Sequence, residues 1–289
     1  MTGVRVMVVG AAGQLGSHVV RRFAGQDVVP VTRRELDITS HEQVMGAVAR
    51  VRPDVIVNCA AFNDVDGAED APLAALDANA FAVRSLARAA EDRGAVLVHY
   101  STDFVFDGSA ADPYREEDAP SPRSVYAASK LLGEWLALDA PGAFVLRVES
   151  LFGCPRTWQG RRGTLDSLVA GMEAGRELRV FTDRVVSPSY LPDVADATWH
   201  LLASRAAPGL YHCVNGGRAS WQQVAEEAAR QLGLTPTLVP VRTGDVPMKA
   251  ARPRFCALDG HKLEAAGFAM PSWQDALGRW LASRDRPAA

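Results

Sequence analysis

The feature that most constrains the fold is a glycine-rich turn that directly follows an apolar run near the start of the chain. The run, Val4–Val9, has a single charged position and predicts a strand that is buried on both faces. After the turn, Gln14–Ala24 carries apolar residues at helical spacing and predicts a helix. The turn reads GAAGQLG, and glycines at a helix N-terminus are typical of a phosphate-binding loop. We predict contacts with the pyrophosphate of a dinucleotide for Gly10, Gly13, Gln14, Leu15 and Gly16.

The N-terminal half continues to alternate short β-branched runs with helical stretches. Further strands are predicted at Val28–Thr32, Asp54–Asn58, Ala95–Tyr100 and Ala143–Val148. Helices are predicted at His41–Val51, Ala71–Arg93 (capped by Asp70) and Ser124–Leu138. This alternation predicts an α/β fold: a Rossmann-like doubly wound parallel sheet that binds ligands at the carboxyl ends of its strands.

The alternation loosens after about residue 150. Helices are predicted at Thr164–Ala174, Trp221–Leu232 and Pro271–Ala282, and strands at Leu178–Phe181 and Gly209–Val214. Irregular structure is predicted for the polar loop Arg156–Gly163, the proline-rich turn Ser187–Pro192 and a frayed tail, Arg284–Ala289.

The residues after the second predicted strand bear on the choice between NADPH and NADH. An acidic residue at this place binds the ribose 2′-hydroxyl, whereas arginine accommodates a 2′-phosphate. The chain places Arg33 and Arg34 first and Asp37 later, so it favours NADPH while Asp37 leaves NADH open. Small residues follow the third predicted strand, where a cofactor would pass close to the backbone: Cys59, Ala60 and Ala61.

Three side chains form a candidate proton-transfer site. Tyr126 and Lys130 are four residues apart on a predicted helix and therefore share one face. A nearby ammonium stabilises the phenolate, so Lys130 is expected to lower the pKa of Tyr126 and let the phenol exchange a proton with a carbonyl oxygen. Thr102 follows a predicted strand and is expected at the ligand-binding edge. The tyrosine–lysine spacing alone is common; its order after the glycine turn and Thr102 is what favours catalysis.

This order resembles the extended short-chain dehydrogenase/reductase superfamily, and within it the chain is similar to the dTDP-4-dehydrorhamnose reductase family. The most specific match is the stretch STDFVFDG at Ser101–Gly108. Further matches extend over most of the chain: Gly10–Gly16, Leu36–Thr39, Arg52–Ala61, Val65–Glu69, Tyr126–Glu134, Ser187–Tyr190, Asp193, Arg252–Pro253 and Leu258–Asp259.

The resemblance implies an NAD(P)-binding Rossmann domain and a smaller C-terminal lobe that binds a nucleotide sugar. The domain would comprise 1–150 and about 184–215, and the lobe 151–183 and 216–289. The implied activity is NADPH-dependent reduction of the 4-keto group of a dTDP-4-dehydro-6-deoxyhexose. Hydride would reach C4, Tyr126 would protonate the oxygen, Thr102 would orient the carbonyl, and Lys130 would bind ribose.

The resemblance also implies further contacts and a homodimer. Cofactor binding extends to Ile38, Tyr126 and Lys130. Substrate binding is implied for Asp103, Val105, Phe106 and Arg252.

Two alternative functions stay open. A nucleotide-sugar epimerase uses the same tyrosine–lysine pair. A catalytically idle NADP-binding subunit, such as the regulatory subunit of methionine adenosyltransferase, also resembles this family. Dehydration is disfavoured because Phe104 stands where 4,6-dehydratases generally carry glutamate. Phe62 in place of a common tyrosine, and the lack of tryptophan in Arg147–Gly153, leave the identity of the sugar open.

The net charge and the spacing of cysteines and histidines disfavour several other classes of protein. The net charge is −3, from 31 basic and 34 acidic residues, which provides no broad positive field for nucleic acid or an anionic membrane. The 4 cysteines and 6 histidines show no metal-ligand spacing, so we expect no metal and reduced thiols in the cytoplasm. Neither a signal peptide nor an apolar run of about 18 residues is expected from the sequence.

Overall fold

The computed structural model describes residues 3–284. The strands are β1 Arg5–Val9, β2 Asp27–Val31, β3 Val55–Asn58, β4 Val96–Thr102, β5 Phe144–Val148, β6 Leu151–Phe152, β7 Leu178–Phe181, β8 Val185–Val186, β9 Ser189–Tyr190, β10 Gly209–His212, β11 Ala219–Ser220 and β12 Leu238–Val241. The helices are α1 Gln14–Arg22, α2 His41–Val51, α3 Val65–Asp70, α4 Pro72–Leu76, α5 Ala82–Arg93, α6 Val125–Leu138, α7 Thr164–Glu173, α8 Leu191–Ala203, α9 Trp221–Leu232, α10 His261–Ala265 and α11 Trp273–Ser283. A π-helical turn, Asp77–Phe81, joins α4 to α5, and short 3₁₀ turns lie at Asp103–Val105 and Thr243–Asp245.

Six parallel strands form the central sheet in the order β2-β1-β3-β4-β5-β10. Because all six strands point the same way, the carboxyl ends of β1, β3, β4 and β5 lie along one edge. In the register of the sheet, Val9 faces Asn58 and Thr102 faces Val148. The predicted doubly wound α/β fold is confirmed, and this edge brings the candidate residues together.

Helices cover both faces of the sheet, which explains why its strands are apolar nearly throughout. In β1, Val6 and Val8 pack into a cluster that includes α1 and α8. Met7 and Val9 point to the other face and pack with α2 and α5. Alternate side chains of a strand lie on opposite faces, so a strand between two helical layers must be hydrophobic on both.

Helix α8 was not predicted from the sequence. Pro192 lies in its first turn, where a missing N–H costs no hydrogen bond, so the proline that suggested a turn instead begins a helix. The helix packs against α1 and leads to β10, which pairs with β5 at the edge of the central sheet. The chain thus returns to the sheet after residue 150.

The single helix predicted for Ala71–Arg93 is wrong in its continuity. The structure has α4, the π-helical turn and α5 in succession, and Asp70 is the last residue of α3 rather than a cap. Asn79 in the π-helical turn is fully buried, and its side chain accepts a bond from Phe62 N at 2.8 Å and donates to Ser129 Oγ at 3.0 Å. These bonds favour the wider turn over a regular α-helix at this point.

A third hydrophobic cluster lies in the C-terminal part of the chain. It contains residues of α7, α9 and α11, including Leu165, Val224 and Trp280. Three two-stranded pairings accompany it: β11 with β8, β12 with β7, and β6 with β9. The short strands β6, β8, β9, β11 and β12 and the helix α10 were not predicted.

The predicted frayed tail lies outside the described residues from 285 onward. Arg284 is described, and for this residue the prediction is wrong: it is only 8% exposed and forms an ion pair with Glu173. Among residues 3–284, no helix combines the length and apolar character that crossing a membrane requires.

Candidate active site

The glycine turn is tightly packed between β1 and α1. Gly10 has φ +78°, and a Cβ there would lie 2.8 Å from Ala60 N. A Cβ on Gly16 would overlap with the carbonyl oxygen of Gly10. These two glycines therefore allow the turn to approach the neighbouring strand and its own helix, rather than lining the cavity themselves.

Helix α1 begins with an uncapped N-terminus that opens on a cavity. Its N-cap, Gly13, offers no side chain, and its first turn contains no acidic residue. The first N–H groups of a helix have no intrahelical partner and carry a partial positive charge. Gly13, Gln14 and Leu15 line a cavity of about 590 Å³. An anionic group in this cavity would meet free N–H donors.

The same cavity collects most of the residues predicted for the site. From the cofactor set it is lined by Gly13, Gln14, Leu15, Cys59, Ala60, Ala61, Tyr126 and Lys130. From the catalytic and substrate sets it is lined by Thr102, Asp103, Tyr126, Lys130 and Arg252. Apart from Arg252, which lies in the segment before α10, they come from the ends of β1, β3 and β4 and from α6, so parallel strand order places distant sequence motifs in one wall.

Helix α6 presents Tyr126 and Lys130, and its start is firmly held. Ser124 caps it by accepting a bond from Ala127 N at 3.2 Å, and Glu69 accepts one from Val125 N at 2.9 Å. The predicted start of this helix at Ser124 thus corresponds to its cap.

A buried ion pair ties the other end of α6 to the sheet. Arg147 of β5 donates two hydrogen bonds to Glu134, at 2.8 and 2.7 Å, and both side chains are almost fully buried. A two-pronged pair of this kind fixes orientation as well as distance.

Thr102, Tyr126 and Lys130 form a buried polar group at the carboxyl end of β4. Thr102 Oγ1 donates to Asp103 Oδ1 at 2.9 Å and accepts from Phe104 N at 3.2 Å. Lys130 Nζ donates to the carbonyl oxygen of Tyr100 at 2.6 Å. The lysine is therefore anchored on the backbone of the strand that carries Thr102.

The expected lowering of the Tyr126 pKa by Lys130 is not what the structure shows. Burial, followed by the negative charge of Asp103, raises the pKa of Tyr126 to about 12. Burial also lowers the pKa of Lys130 to about 8, against the opposing effect of Glu134. Tyr126 is thus held as a neutral phenol, which is a proton donor.

The residues predicted to select the cofactor lie outside this cavity. Arg33, Arg34 and Asp37 are exposed, and Ile38 is half-buried. Asp37 accepts bonds from the backbone and hydroxyl of Thr39, which stabilise its own loop. Their predicted cofactor contacts remain predictions.

A second cavity, of about 470 Å³, lies on the other side of the glycine turn. Its wall includes Ala11 and Ala12 of the turn, Thr32 after β2, and Arg21 of α1. The sequence analysis assigned no role to Arg21. Trp158 lines both cavities.

The polar loop 155–163 holds its position by contacts on two sides. Gln14 donates to the carbonyl oxygen of Arg161, and Arg161 Nη1 donates to the carbonyl oxygen of Asn63 at 3.3 Å. Arg161 and Arg162 line the larger cavity. Arg252 lies there too, paired with Asp66 at 3.0 Å.

Two predicted substrate contacts lie elsewhere. Val105 and Phe106 are 0% and 1% exposed and belong to a hydrophobic cluster with Tyr114 and Leu258. Phe106 stacks on Tyr114 with ring centroids 4.0 Å apart. The match in the STDFVFDG stretch therefore reflects packing at these two positions, since neither side chain lines the cavity.

Two charged residues of the cavity wall were not predicted. Glu149 follows β5, and Arg184 precedes β8. Glu149 lies inside a stretch noted only for lacking tryptophan, and Arg184 lies beyond any recognised motif. The signal available for Glu149 was a glutamate directly after an apolar strand. We find no signal in the sequence for Arg184.

Comparisons with known proteins agree with this architecture. The family model described as RmlD substrate binding domain matches residues 4–285. The chain is 36% identical to a dTDP-4-dehydrorhamnose reductase of Streptomyces griseus, covering 94% of this chain and 91% of the relative. It is 33% identical to the spore coat polysaccharide biosynthesis protein SpsK of Bacillus subtilis, covering 97% and 98%.

A solved structure extends the likeness to three dimensions. The dTDP-4-dehydrorhamnose reductase of Bacillus anthracis, in complex with NADP, superposes with a TM-score of 0.91 at 32% identity, covering 97% of this chain and 99% of that one. The match of the family model over nearly the whole chain, together with these relatives, shows that the chain belongs to the RmlD substrate binding domain family, the family of the dTDP-4-dehydrorhamnose reductases.

Proposed function

We propose that the protein reduces the 4-keto group of a dTDP-4-dehydro-6-deoxyhexose with NADPH. The observation that carries the proposal is the shared cavity. Thr102, Tyr126 and Lys130 line the same wall as the exposed N-terminus of α1. A proton donor and a site suited to a dinucleotide pyrophosphate therefore share one cavity. Relatives named as dTDP-4-keto-sugar reductases support the same activity.

The glycine turn fits the cofactor. A pyrophosphate can approach its backbone closely because Gly13 carries no side chain, and the first residues of α1, whose N–H groups lack intrahelical partners, line the cavity. The second cavity suits the adenosine end, and Arg21 in its wall provides a cation for a 2′-phosphate. Arg33 and Arg34 add positive charge next to Thr32, which favours NADPH over NADH.

The chain's own residues position the ketone and donate the proton. The chemistry supplied by the bound nicotinamide is hydride transfer to C4 of the sugar. Thr102 orients the carbonyl oxygen, which requires its hydroxyl to turn from Asp103 toward the substrate. Tyr126 is neutral, because burial raises its pKa to about 12, and it donates its phenolic proton to the oxygen that becomes an alkoxide. Lys130, whose Nζ is anchored on the carbonyl oxygen of Tyr100, binds the ribose.

Substitution of Tyr126 tests the activity directly. With NADPH and enzymatically prepared dTDP-4-keto-6-deoxyglucose, we expect Tyr126→Phe to lower turnover by about 100- to 10,000-fold, because general acid catalysis is lost. Oxidation of NADPH is followed at 340 nm, and cofactor affinity is measured separately by fluorescence. Tyr114→Phe is the matched control, since Tyr114 packs in a hydrophobic cluster away from the cavity, and it should keep near-full activity.

Other outcomes would contradict the reductase. Tight NADPH binding without turnover of any 4-keto sugar would favour a binding subunit. Epimerised product without net oxidation of NADPH would favour an epimerase.

The proposal extends to assembly and location. Among residues 3–284, four of the five large exposed hydrophobic residues lie on adjacent helical segments: Leu73 on α4, Phe81 on the π-helical turn, and Trp135 and Leu138 on α6. An apolar surface of this kind suits a self-complementary contact with a second copy, giving a homodimer. All four cysteines are free thiols, which supports a cytoplasmic location.

A further inference from the structure

A pair of buried carboxyl groups faces the reactive end of the cavity. Asp103 follows Thr102 at the end of β4, and Glu149 follows β5, the neighbouring strand. They are 4% and 2% exposed, and both line the cavity of about 590 Å³. One oxygen of each lies within 4.8 Å of the other and of Cys256 Sγ.

Each carboxyl group has one oxygen bonded and one without a partner. Asp103 Oδ1 accepts from Thr102 at 2.9 Å, and Glu149 Oε2 accepts from Ser187 N at 2.7 Å. Asp103 Oδ2 and Glu149 Oε1 have no hydrogen-bond partner among residues 3–284. Leaving a buried polar group unsatisfied is costly, so a pair of such oxygens in a cavity wall indicates a ligand that supplies the missing donor.

The charges of this pair favour a shared proton. Burial raises the pKa of Asp103 to about 6 and that of Glu149 well above its ordinary value, and the negative charge of Asp103 raises the latter further. Two carboxyl groups this close do not both ionise readily, so one is the acid and the other the carboxylate. The positive charge of Arg184 also acts on both groups and on Cys256, which argues against a metal cation among them.

The contact with Thr102 indicates which part of the sugar lies beside the two carboxyl groups. Under the proposed function, on which this inference rests, Thr102 bonds to the oxygen at C4. Asp103 bonds to Thr102, so the pair lies beside one of the two carbons that flank C4. In a 6-deoxyhexose, C5 carries a methyl group and has no donor to offer, whereas C3 carries a polar substituent.

We propose that Asp103 and Glu149 recognise the substituent at C3 of the hexose by hydrogen bonds: the ionised carboxylate accepts one from it, and the protonated carboxyl group donates one to it. The substituent must offer a hydrogen-bond donor, which in this class of sugar is a hydroxyl or an amino group. Glu149 is then a specificity-determining residue, because its free oxygen has no other partner within the described chain.

The test compares sugars that differ only at C3. We expect wild type to prefer dTDP-4-keto-6-deoxyglucose over its 3-deoxy analogue by about 10- to 100-fold in kcat/KM, the effect of hydrogen bonds to a charged group. Glu149→Leu should reduce this preference to under about threefold, a loss of the same hydrogen bonds. Ser187→Ala is the control: its backbone N–H still bonds to Glu149, and the preference should persist.

The 3-amino analogue distinguishes the two donors. If wild type prefers the 3-amino sugar over the 3-hydroxy sugar and Glu149→Gln loses that preference, the substrate is an amino sugar. If wild type prefers the 3-hydroxy sugar, the substituent is a hydroxyl. Either order supports the pair as the recognition element. Wild type that treats the 3-deoxy analogue like the 3-hydroxy sugar overturns the inference, and this comparison needs no variant to fold.

Failure of the proposed function is recognisable separately. If no 4-keto sugar is reduced, calorimetric binding of the 3-hydroxy and 3-deoxy nucleotide sugars still reports the preference of the pair. Reduction of both sugars at equal rates, in contrast, removes only the inference about C3.

Discussion

The buried side chain of His212 makes the stability of the fold sensitive to pH. It is fully buried, with Nδ1 3.2 Å from the carbonyl oxygen of Asp259 and Nε2 3.3 Å from Arg147 Nη1. This arrangement suits the neutral ring, which donates from Nδ1 and accepts at Nε2. Burial, and then the positive charge of Arg147, lower the pKa of His212 to about 3.

This shift predicts a loss of stability in mild acid. Between pH 6.5 and pH 3 the unfolded chain binds a proton at His212 and the folded chain does not, so the free energy of unfolding decreases as pH falls through this window. Between pH 7.5 and pH 5.5, His212→Gln should lose about 1 kcal/mol less than wild type. Urea unfolding at both pH values measures this.

The control for this prediction is His261→Gln, at an exposed histidine. It should follow wild type at both pH values. Equal losses in His212→Gln and wild type would contradict the assignment.

The positions of individual site residues were predicted correctly from the sequence where the residues belong to one motif. Tyr126 and Lys130 share a face because helical spacing requires it, and Thr102 is at a strand end because the apolar run that predicted β4 stops just before it. The place of Arg184 beside Glu149 could not be predicted, because it depends on how the C-terminal segments fold over the sheet. The rise in the Tyr126 pKa was missed for a related reason: the extent of burial and the place of Asp103 are not visible in a spacing.

The element that most directly shapes the cofactor site is the turn into α1. A Cβ on Gly16 would overlap with the carbonyl oxygen of Gly10, so the first turn of the helix would have to move. We expect Gly16→Ala to destabilise the protein by about 1–3 kcal/mol, as overpacking does. We also expect it to weaken NADPH binding, because the N–H groups would be displaced.

Gly46→Ala is the matched control for this prediction. Gly46 lies within helix α2, and a Cβ there would meet nothing within 4 Å. Thermal unfolding should be unchanged or rise slightly, and fluorescence titration should give unchanged NADPH affinity. A Gly16→Ala variant with normal stability and affinity would show that the turn adapts.

Helices with a regular apolar periodicity were predicted well, whereas turns inferred from proline were predicted poorly. Helices α2 and α9 have the bounds expected from the sequence, since their apolar stripes are regular. Pro192 misled because proline begins helices as readily as it ends them. The very short strands of the C-terminal part depend on contacts with distant segments, so no local pattern marks them.

For the whole molecule, the exposed apolar face of α4 and α6 predicts association. Light scattering after gel filtration should give about twice the chain mass of 31.0 kDa for wild type. Trp135→Glu should give the mass of one chain, because a charge at the centre of an isologous contact meets its own copy. Trp135 is 56% exposed, so the substitution does not disturb the core.

Leu234→Glu controls for charge at an exposed hydrophobic position elsewhere. Leu234 is 38% exposed and follows α9, away from this face. It should leave the mass unchanged. A wild-type protein that elutes as one chain at micromolar concentration would refute the dimer.

Trp158 lies in the walls of both cavities, and this has a consequence for how ligands enter and leave them. Under the proposed function, a dinucleotide that fills both cavities passes Trp158 and the loop of residues 155–163, which contacts Gln14 and Asn63. The sugar would enter only the larger cavity, which it shares with the nicotinamide end, so its exchange would not involve the second cavity.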